Sequence, residues 1–518
     1  MKFSAARARA LTLRHLRKDF FPWAIALAVG IDYFDNTLFG TFTSYIAGGI
    51  NASPDELVWS STAYATASVL GIVQQQWLAE RLGYRRYLSI CLLMFALGSL
   101  AASLSESSLE LALARGFQGY FIGPMLGTCR IMLQMCFTPQ QRPVATRIFL
   151  LNILVASASA PLIGGYLVAY FDWRALFIFP TIVGAILAAF AFLIVPHVGK
   201  LRPELRSATH LWPYLVFACA LGGLQIVAQQ VRFEIFSSSP MFTLLTVAGV
   251  AALVWVARQQ WRHPRPLLRL HALREGPYRM GMLLYSCYYM LTNAIGYLVA
   301  RMIQGGYGYP VENAGRLMGL TSFGSVVMAL LYFRYAKLVP SKKLLIVPGF
   351  VMAAAVCLWM SLLPPDASTG WLLPPLIVRG FLLMFIALPT ASVAFQIFSN
   401  DEFNHGYRFK NIVKQLSYSL STAVVIILEQ HRIAVHQTTL TEFANPSNPV
   451  FNTTAQTMVR TFEGRGYDPA TAGHLVLEWL NGVIAHQATF LSLLDGFDVM
   501  IVLAIIAGLL AMLQRQIR

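Results

Sequence analysis

The sequence predicts an all-α polytopic membrane protein of fourteen transmembrane helices with both termini in the cytoplasm. Three observations carry that prediction. The 518 residues are 57% hydrophobic and only 12% charged, outside the range of soluble proteins. Mean hydropathy over the whole chain is +0.59, so apolar residues run from end to end instead of forming one anchor. Stretches of about 20 mostly apolar residues, the length a bilayer crossing needs, recur fourteen times between charged or Pro/Gly-rich breaks. A soluble enzyme with a membrane tail is excluded.

The stretches fall near 21–45, 58–79, 87–104, 109–136, 144–170, 174–196, 211–230, 239–257, 278–303, 312–333, 344–363, 371–398, 411–430 and 494–514. Residues 1–20 are basic, but the apolar run that follows carries Asp32 and Asp35 and no small-residue cleavage site. A retained first helix is therefore expected, not a removed signal peptide. With the N-terminus inside, 29 of the 39 Lys and Arg fall in or next to cytoplasmic connections, the last of which holds Arg408, Lys410 and Lys414. Seven fall outside: Arg174, Arg232, Arg301, Arg316, Arg432, Arg460 and Arg465. Arg115, Arg130 and Arg379 lie within spans. This asymmetry fixes the expected orientation by the positive-inside rule and explains the net charge of +16 without a nucleic-acid partner. All six cysteines sit in apolar stretches, which suggests neither a disulfide framework nor a metal site.

One connection, 431–493, is long and expected on the outer face. Asp468-Pro469 reads as an N-cap followed by Pro at the first helical position, and Val476, Leu480, Val483, Ile484 and Leu491 recur at helical spacing. An amphipathic helix lying on the outer surface or against a partner is expected there, preceded by turn material at Asn445-Pro446-Ser447-Asn448-Pro449.

Two internal echoes relate the first six spans to the last six. The basic turn from Ala79 to Leu88 matches Ala336 to Leu345 without gaps, and Arg115-Gly116-Phe117 followed by Pro124 matches Arg379-Gly380-Phe381 followed by Pro389. Two six-helix halves with two inserted helices, a 6+2+6 plan, are implied. The expected division is a cytoplasmic N-terminus at 1–20, a first half at 21–196, the inserted pair with its linkers at 197–277, and a second half at 278–518. Such halves rock about a central cavity, and that architecture implies transport.

Charged side chains in spans carry the chemistry. An ionised carboxylate in the membrane costs about 2.5–3.5 kcal/mol or more, so Asp32 and Asp35 need a reason. Three residues apart, they share a helical face, and Asp35 lies about 21 Å from the inner end of its span, at a depth similar to Arg115 of span 4. Either Asp35 exchanges a proton or pairs with a cationic substrate, under the tuning of Arg115 and with Asp32 as a further candidate, or the charges form a static ion pair. Arg115 and Gln118 present polar heads on one face of span 4. Candidate cavity residues are Asn36, Gln74, Gln118, Tyr289, Asn293 and Arg379. Gln74 belongs to a run of three amides, Gln74 to Gln76, of which at least one is expected to face the cavity. Arg130 and Arg379 alternatively snorkel to the interfaces. Pro161, Gly164 and Gly165 in span 5 signal a kink and close helix contact. No phosphate-binding loop, metal-binding helix or serine elbow is present, so the expectation is no catalytic activity, no cofactor and no bound metal, with an ion gradient as the energy source.

These residues resemble the major facilitator superfamily, and within it the fourteen-helix drug:proton antiporters of the EmrB/QacA type, closest to the EmrB branch. Asp35-Asn36-Thr37 resembles the first-helix signature, which implies that Asp35 is the proton-linked carboxylate. Trp59 with Tyr64 resembles the start of the second helix. Leu78 to Arg86 resembles the cytoplasmic loop motif, which implies a gate made by Glu80, Gly83, Arg85 and Arg86. Arg115-x-x-Gln118-Gly119 resembles the fourth-helix motif tied to proton coupling, and Ala160 to Gly165 the fifth-helix antiporter motif, with Ala160 in place of its first glycine. Lys414 stands where the family usually has Arg. Arg432, His436 and Asp495-Gly496-Phe497 resemble the outer loop and last helix of the EmrB branch.

The resemblance implies a major facilitator fold and a proton-coupled exporter of hydrophobic or amphipathic small molecules in a Gram-negative inner membrane. It also implies a periplasmic adaptor protein and an outer-membrane channel as partners, with 431–493 as a docking surface. Two alternatives stand beside it: a dedicated exporter of one endogenous metabolite or siderophore, and a non-transporting membrane scaffold or sensor.

Overall fold

Inside hydrocarbon every backbone N–H and C=O must be satisfied within its own segment, and a chain this apolar meets that demand with helices. The computed structural model describes residues 2–53, 56–200, 211–230, 240–263, 270–396, 398, 400–445 and 447–514. Arg232, Pro446, the side chain of Lys337 and the basic side chains within residues 1–18 lie outside the described set. The α-helices are α1 (Lys2–Gly49), α2 (Leu57–Leu82), α3 (Tyr84–Ser103), α4 (Ser108–Ile122), α5 (Met125–Cys136), α6 (Arg142–Tyr170), α7 (Ala175–Ile194), α8 (Leu211–Gln230) and α9 (Pro240–Arg262). They continue as α10 (Gly276–Arg301), α11 (Val311–Ser322), α12 (Gly324–Tyr335), α13 (Lys343–Ser361), α14 (Thr369–Arg379), α15 (Leu388–Ala394), α16 (Asn400–Phe443), α17 (Pro449–Glu463) and α18 (Pro469–Leu513).

Each of the fourteen apolar stretches lies largely within helical structure. Several are interrupted where the sequence supplies a breaker. Gly123-Pro124 divides α4 from α5, because Pro124 brings no N–H to the ladder. A π-helical turn, Leu383–Ala387, joins the α14 segment to α15. Among the described residues eight helices are long and apolar enough to cross a membrane by length and composition. Helices α1, α2 and α10 are not in that group; α1 and α2 bury Asp32, Asp35 and Gln75, and α10 is rich in tyrosine.

Helices α1 to α7 pack around two apolar clusters, one holding Ile25, Leu88, Phe95 and Leu126, the other Leu38, Phe42, Leu111 and Phe177. Helices α10 to α18 enclose a third, with Leu284, Ile295, Phe350, Cys357 and Phe497. The two groups meet along α6 against α11 and along α2 against α16. The first seam is glycine-lined: a Cβ on Gly165 would lie 3.3 Å from the Gly315 Cα, and one on Gly315 would strike the Pro161 carbonyl. Gly164 turns the other way and leaves room for Leu38 and Phe42 of α1. Over the second seam lies α8, whose Leu221 packs with Val69, Ile72, Val73 and Ile412, and whose Gln225 accepts a 2.8 Å hydrogen bond from Ser419 of α16.

Beyond the bundle the structure departs from the sequence reading. The sequence predicts here an amphipathic helix on the outer surface or against a partner, separate from the last apolar stretch at 494–514; residues 469–493 instead run on into that stretch as the first half of α18, a single 45-residue helix. At 1.5 Å per residue α18 and the 44-residue α16 are each about 66 Å long, roughly twice the hydrocarbon thickness. The reason is local: no proline follows Pro469, and the glycines of α18 are tolerated in a helix whose other residues favour it. The N-cap is as expected, with the Asp468 carboxylate accepting from the Thr471 N–H at 3.0 Å. Arg432 and His436 of α16 both contact Asp495 of α18, at 2.5 and 2.6 Å, and α17 packs on α18.

Candidate functional site

The polar residues of α1 point away from lipid because α2 and α4 cover them. Asp32 and Asp35 are each 1% exposed. Asp35 pairs with Arg115 of α4 at 2.5 Å, and the same guanidinium donates to Gln118 Oε1 at 3.0 Å. Its cation also lies 4.4 Å from the Phe39 ring centroid and 4.5 Å from that of Tyr64, while its Nε is buried without a hydrogen-bond partner. Gln118 donates onward to Ser99 of α3 at 2.5 Å. Asp32 is held differently: its Oδ1 accepts from the Tyr64 hydroxyl at 2.7 Å and from Asn36 Nδ2 at 2.8 Å, with no ion-pair partner among the described residues.

Close packing of α2 on α4 makes this geometry possible. A Cβ at Gly119 would collide with the Tyr64 carbonyl, and Ser68 donates to the Gly119 carbonyl at 3.1 Å. Replacing Gly119 would push Tyr64 off Asp32 and Arg115 together.

Between the two groups of helices is a cavity of about 390 Å³, within the size range of small-molecule sites. Asn36, Arg115, Pro161, Asn293 and Arg379 line it. The two arginines related by the internal echo, Arg115 and Arg379, therefore face one space, and Arg379 does not snorkel away: its Nη1 is buried and without a hydrogen-bond partner. Asn293 is steadied by donating to Thr422 Oγ1 at 2.9 Å.

Three sequence candidates are not among the lining residues. Gln74 is turned to Tyr120, which donates to it; Gln118 is turned to Ser99; Tyr289 stacks on Tyr285, with ring centroids 5.7 Å apart. Of the other two amides in that run, Gln76 donates to Glu80 at 2.6 Å and Gln75 is buried against α5, so none of the three lines the cavity. Helix α2 instead faces it with Ser61, Tyr64 and Ala65. Arg130 donates to Thr146 at 3.1 Å.

The turn between α2 and α3 is built on Gly83, whose φ of +79° favours a residue without a Cβ. Arg85 donates to the Phe192 carbonyl at the end of α7, approaches the His197 ring at 3.1 Å and lies 4.7 Å from the Phe192 ring centroid. The Tyr84 N–H donates to the Val198 carbonyl at 2.9 Å. Arg86 is exposed.

Two features escaped the sequence reading. Arg301, counted there as an outer-loop charge, is bound by the buried Glu429 of α16 at 2.9 Å; Tyr297 donates to the same carboxylate at 2.8 Å. Arg301 and Gln304 also reach α1, donating to Ser44 Oγ at 3.4 Å and the Thr41 carbonyl at 2.7 Å. Lys414, counted as a cytoplasmic charge, is 4% exposed and lines the cavity, its Nζ 4.1 Å from the Tyr33 ring centroid. A cation at every third or fourth position of a span-end helix, here Lys410 and Lys414, was the available signal.

Comparison with known proteins agrees with this architecture. The chain is 25% identical over 471 residues to the probable multidrug resistance protein EmrY of Escherichia coli (strain K12), covering 90% of each. It is 24% identical over 470 residues to the multidrug export protein EmrB of the same strain, again covering 90% of each. Among solved structures, a bacterial homologue of the human lysosomal transporter Spinster, inward-facing and occupied, superposes with a TM-score of 0.61 over 96% of both chains at 13% identity, which shows the fold. The model of the Major Facilitator Superfamily matches residues 25–422. An all-helical bundle with a cavity between two packed groups of helices, matched by that model over most of its length, places this polytopic membrane protein among transporters, not enzymes: the chain belongs to the Major Facilitator Superfamily.

Proposed function

We propose that this protein is a proton-coupled exporter of hydrophobic or amphipathic small molecules, working by alternating access. The observation that carries the reading is the buried Asp35–Arg115 pair, one member of which lines the cavity. Protonation of Asp35 neutralises the carboxylate and releases the guanidinium, whose charge then acts on the cavity; loss of the proton restores the pair. A ligand and a proton that both bias one pair of residues are thermodynamically linked, which is what exchange requires. Asp32, hydrogen-bonded by Tyr64 and Asn36, is the second candidate for a proton.

In this reading all fourteen stretches cross the membrane as 6+2+6 with cytoplasmic termini, and the halves 21–196 and 278–518 move about the glycine seam of α6 and α11. Glu80, Gly83, Arg85 and Arg86 close the cytoplasmic side, supported by the ties from Arg85 to α7 and His197. Similarity to the multidrug resistance protein EmrY and the multidrug export protein EmrB supports drug-like substrates; a Gram-negative inner membrane, and a periplasmic adaptor and outer-membrane channel met by the helices of 431–493, complete the reading.

The test is a toxicity and dye-efflux panel in a pump-deficient Gram-negative strain, with and without a protonophore. Broad resistance that disappears with the protonophore and with Asp35→Asn is expected. Uncoupler-insensitive export, or wild-type export by Asp35→Asn, would overturn the assignment of Asp35; rescue from one compound only would favour a dedicated metabolite exporter.

A further inference from the structure

The cavity has a lopsided charge. Its wall contains four cations, Arg115, Arg301, Arg379 and Lys414, and no Asp or Glu among the described residues. Asp35 neutralises Arg115 and Glu429 neutralises Arg301 from behind the wall. Neither of the other two has a carboxylate within ion-pair distance among the described residues, although Asp32 is close enough to Lys414 to interact with its charge. Arg379 keeps a buried Nη1 without any hydrogen bond, and Lys414 rests on the rings of Tyr33 and Tyr418, 4.1 and 5.6 Å from their centroids. Asp32, the remaining buried carboxylate of α1, does not line the cavity, and its Oδ1 is occupied by Tyr64 and Asn36. Even with Asp32, Asp35 and Glu429 all ionised, the four wall cations leave an excess of positive charge.

We infer that the cavity takes an anionic amphipathic small molecule, its acidic group drawn to Arg379 and Lys414 and its apolar body lodged against Phe39, Leu57, Ile153, Leu154, Met318 and Leu383. A buried cation without a counter-ion is costly, and a bound carboxylate, sulfonate or phenolate relieves that cost. The guanidinium fork matches a planar or tetrahedral oxyanion through paired hydrogen bonds, which an ammonium does not. For a lipophilic cation the excess positive charge of this wall is unfavourable. The inference rests on the exporter reading and narrows its substrate class.

The experiment uses two probes with one aromatic body: 8-anilinonaphthalene-1-sulfonate and N-phenyl-1-naphthylamine, which lacks the sulfonate. Binding to full-length protein in lipid nanodiscs is read by fluorescence against empty nanodiscs. The sulfonate should bind saturably and at least about tenfold more tightly than its uncharged counterpart, one charge-assisted contact's worth. Arg379→Gln/Lys414→Gln should bring its affinity down to that of the uncharged probe, whose own binding stays unchanged and so reports an intact cavity; Arg379→Lys should retain part of the preference. Equal affinity for both probes in wild type, no saturable sulfonate binding, or wild-type sulfonate binding by the double variant would each overturn the inference. Proton-driven export persisting beside any of those results leaves the exporter reading standing, whereas its absence from the efflux panel removes that reading too.

Discussion

Removing the two members of the α1–α4 ion pair singly and together tests whether they act as one unit. Asp35 and Arg115 are each 1% exposed and 2.5 Å apart, so each cancels a charge that its partner's loss would strand in the bundle. Stranding one partner of a buried pair costs about 3–5 kcal/mol, while replacing both leaves no orphan charge and costs far less. Asp35→Asn and Arg115→Gln should therefore each lower the unfolding midpoint of the purified protein, and the double variant should recover most of the loss. Because each single loss is mostly the cost of the partner it strands, the coupling should exceed about 3 kcal/mol, the upper end of the usual range for residues in contact. Arg115 also loses its contacts to Gln118, Phe39 and Tyr64, but those are lost in both backgrounds and cancel from the cycle. Thermal unfolding followed by a thiol-reactive dye gives the stabilities, and pH-gradient-driven dye efflux in everted vesicles gives the function. The double variant should be nearly as stable as wild type yet fail to export. Single effects that add to within about 0.5 kcal/mol would refute the coupling, and wild-type export by the double variant would take both residues out of the mechanism.

Two further outcomes follow from the packing around that pair. Tyr64→Phe deletes the hydroxyl that donates to Asp32 at 2.7 Å; a hydrogen bond to a charged group is worth about 1.5–3 kcal/mol. The unfolding midpoint should fall and the pH dependence of export should shift, and an unchanged pH profile would mean that Asp32 does not take part. Gly315→Leu places a side chain against the Pro161 carbonyl, an overpacking of about 1–3 kcal/mol. The protein should still insert but transport slowly or not at all, and a normal export rate would show that the α6–α11 seam need not stay this close.

The residues that pair were legible where a membrane forbids them without a reason. Asp32, Asp35 and Arg115 stood out in apolar stretches, and their similar depth anticipated the α1–α4 pair. Glu429 and Tyr297 did not stand out, because a carboxylate near the end of an apolar stretch is ordinary in a sequence; only its contact with Arg301, 128 residues away, makes it unusual. Lys414 was singled out only by family resemblance, which says nothing of its place in the cavity wall. Counted by position it is a charge near the end of a span, and its burial among Tyr33, Tyr418 and the cavity comes from α1 and α16 meeting in space.

By itself the sequence determined the helical class, the apolar stretches, the N-cap at Asp468 and the charges Asp32, Asp35 and Arg115 set within those stretches, since each follows from local hydropathy, capping chemistry or the cost of burying a charge. Tertiary structure alone decided which faces of the helices enclose the cavity, that Gln74, Gln118 and Tyr289 turn from it while Arg301 and Lys414 turn towards it, and that among the described residues the wall has no carboxylate of its own. A helix presents a different residue every 100°, so the side that becomes a cavity wall is settled only by which neighbours cover the others.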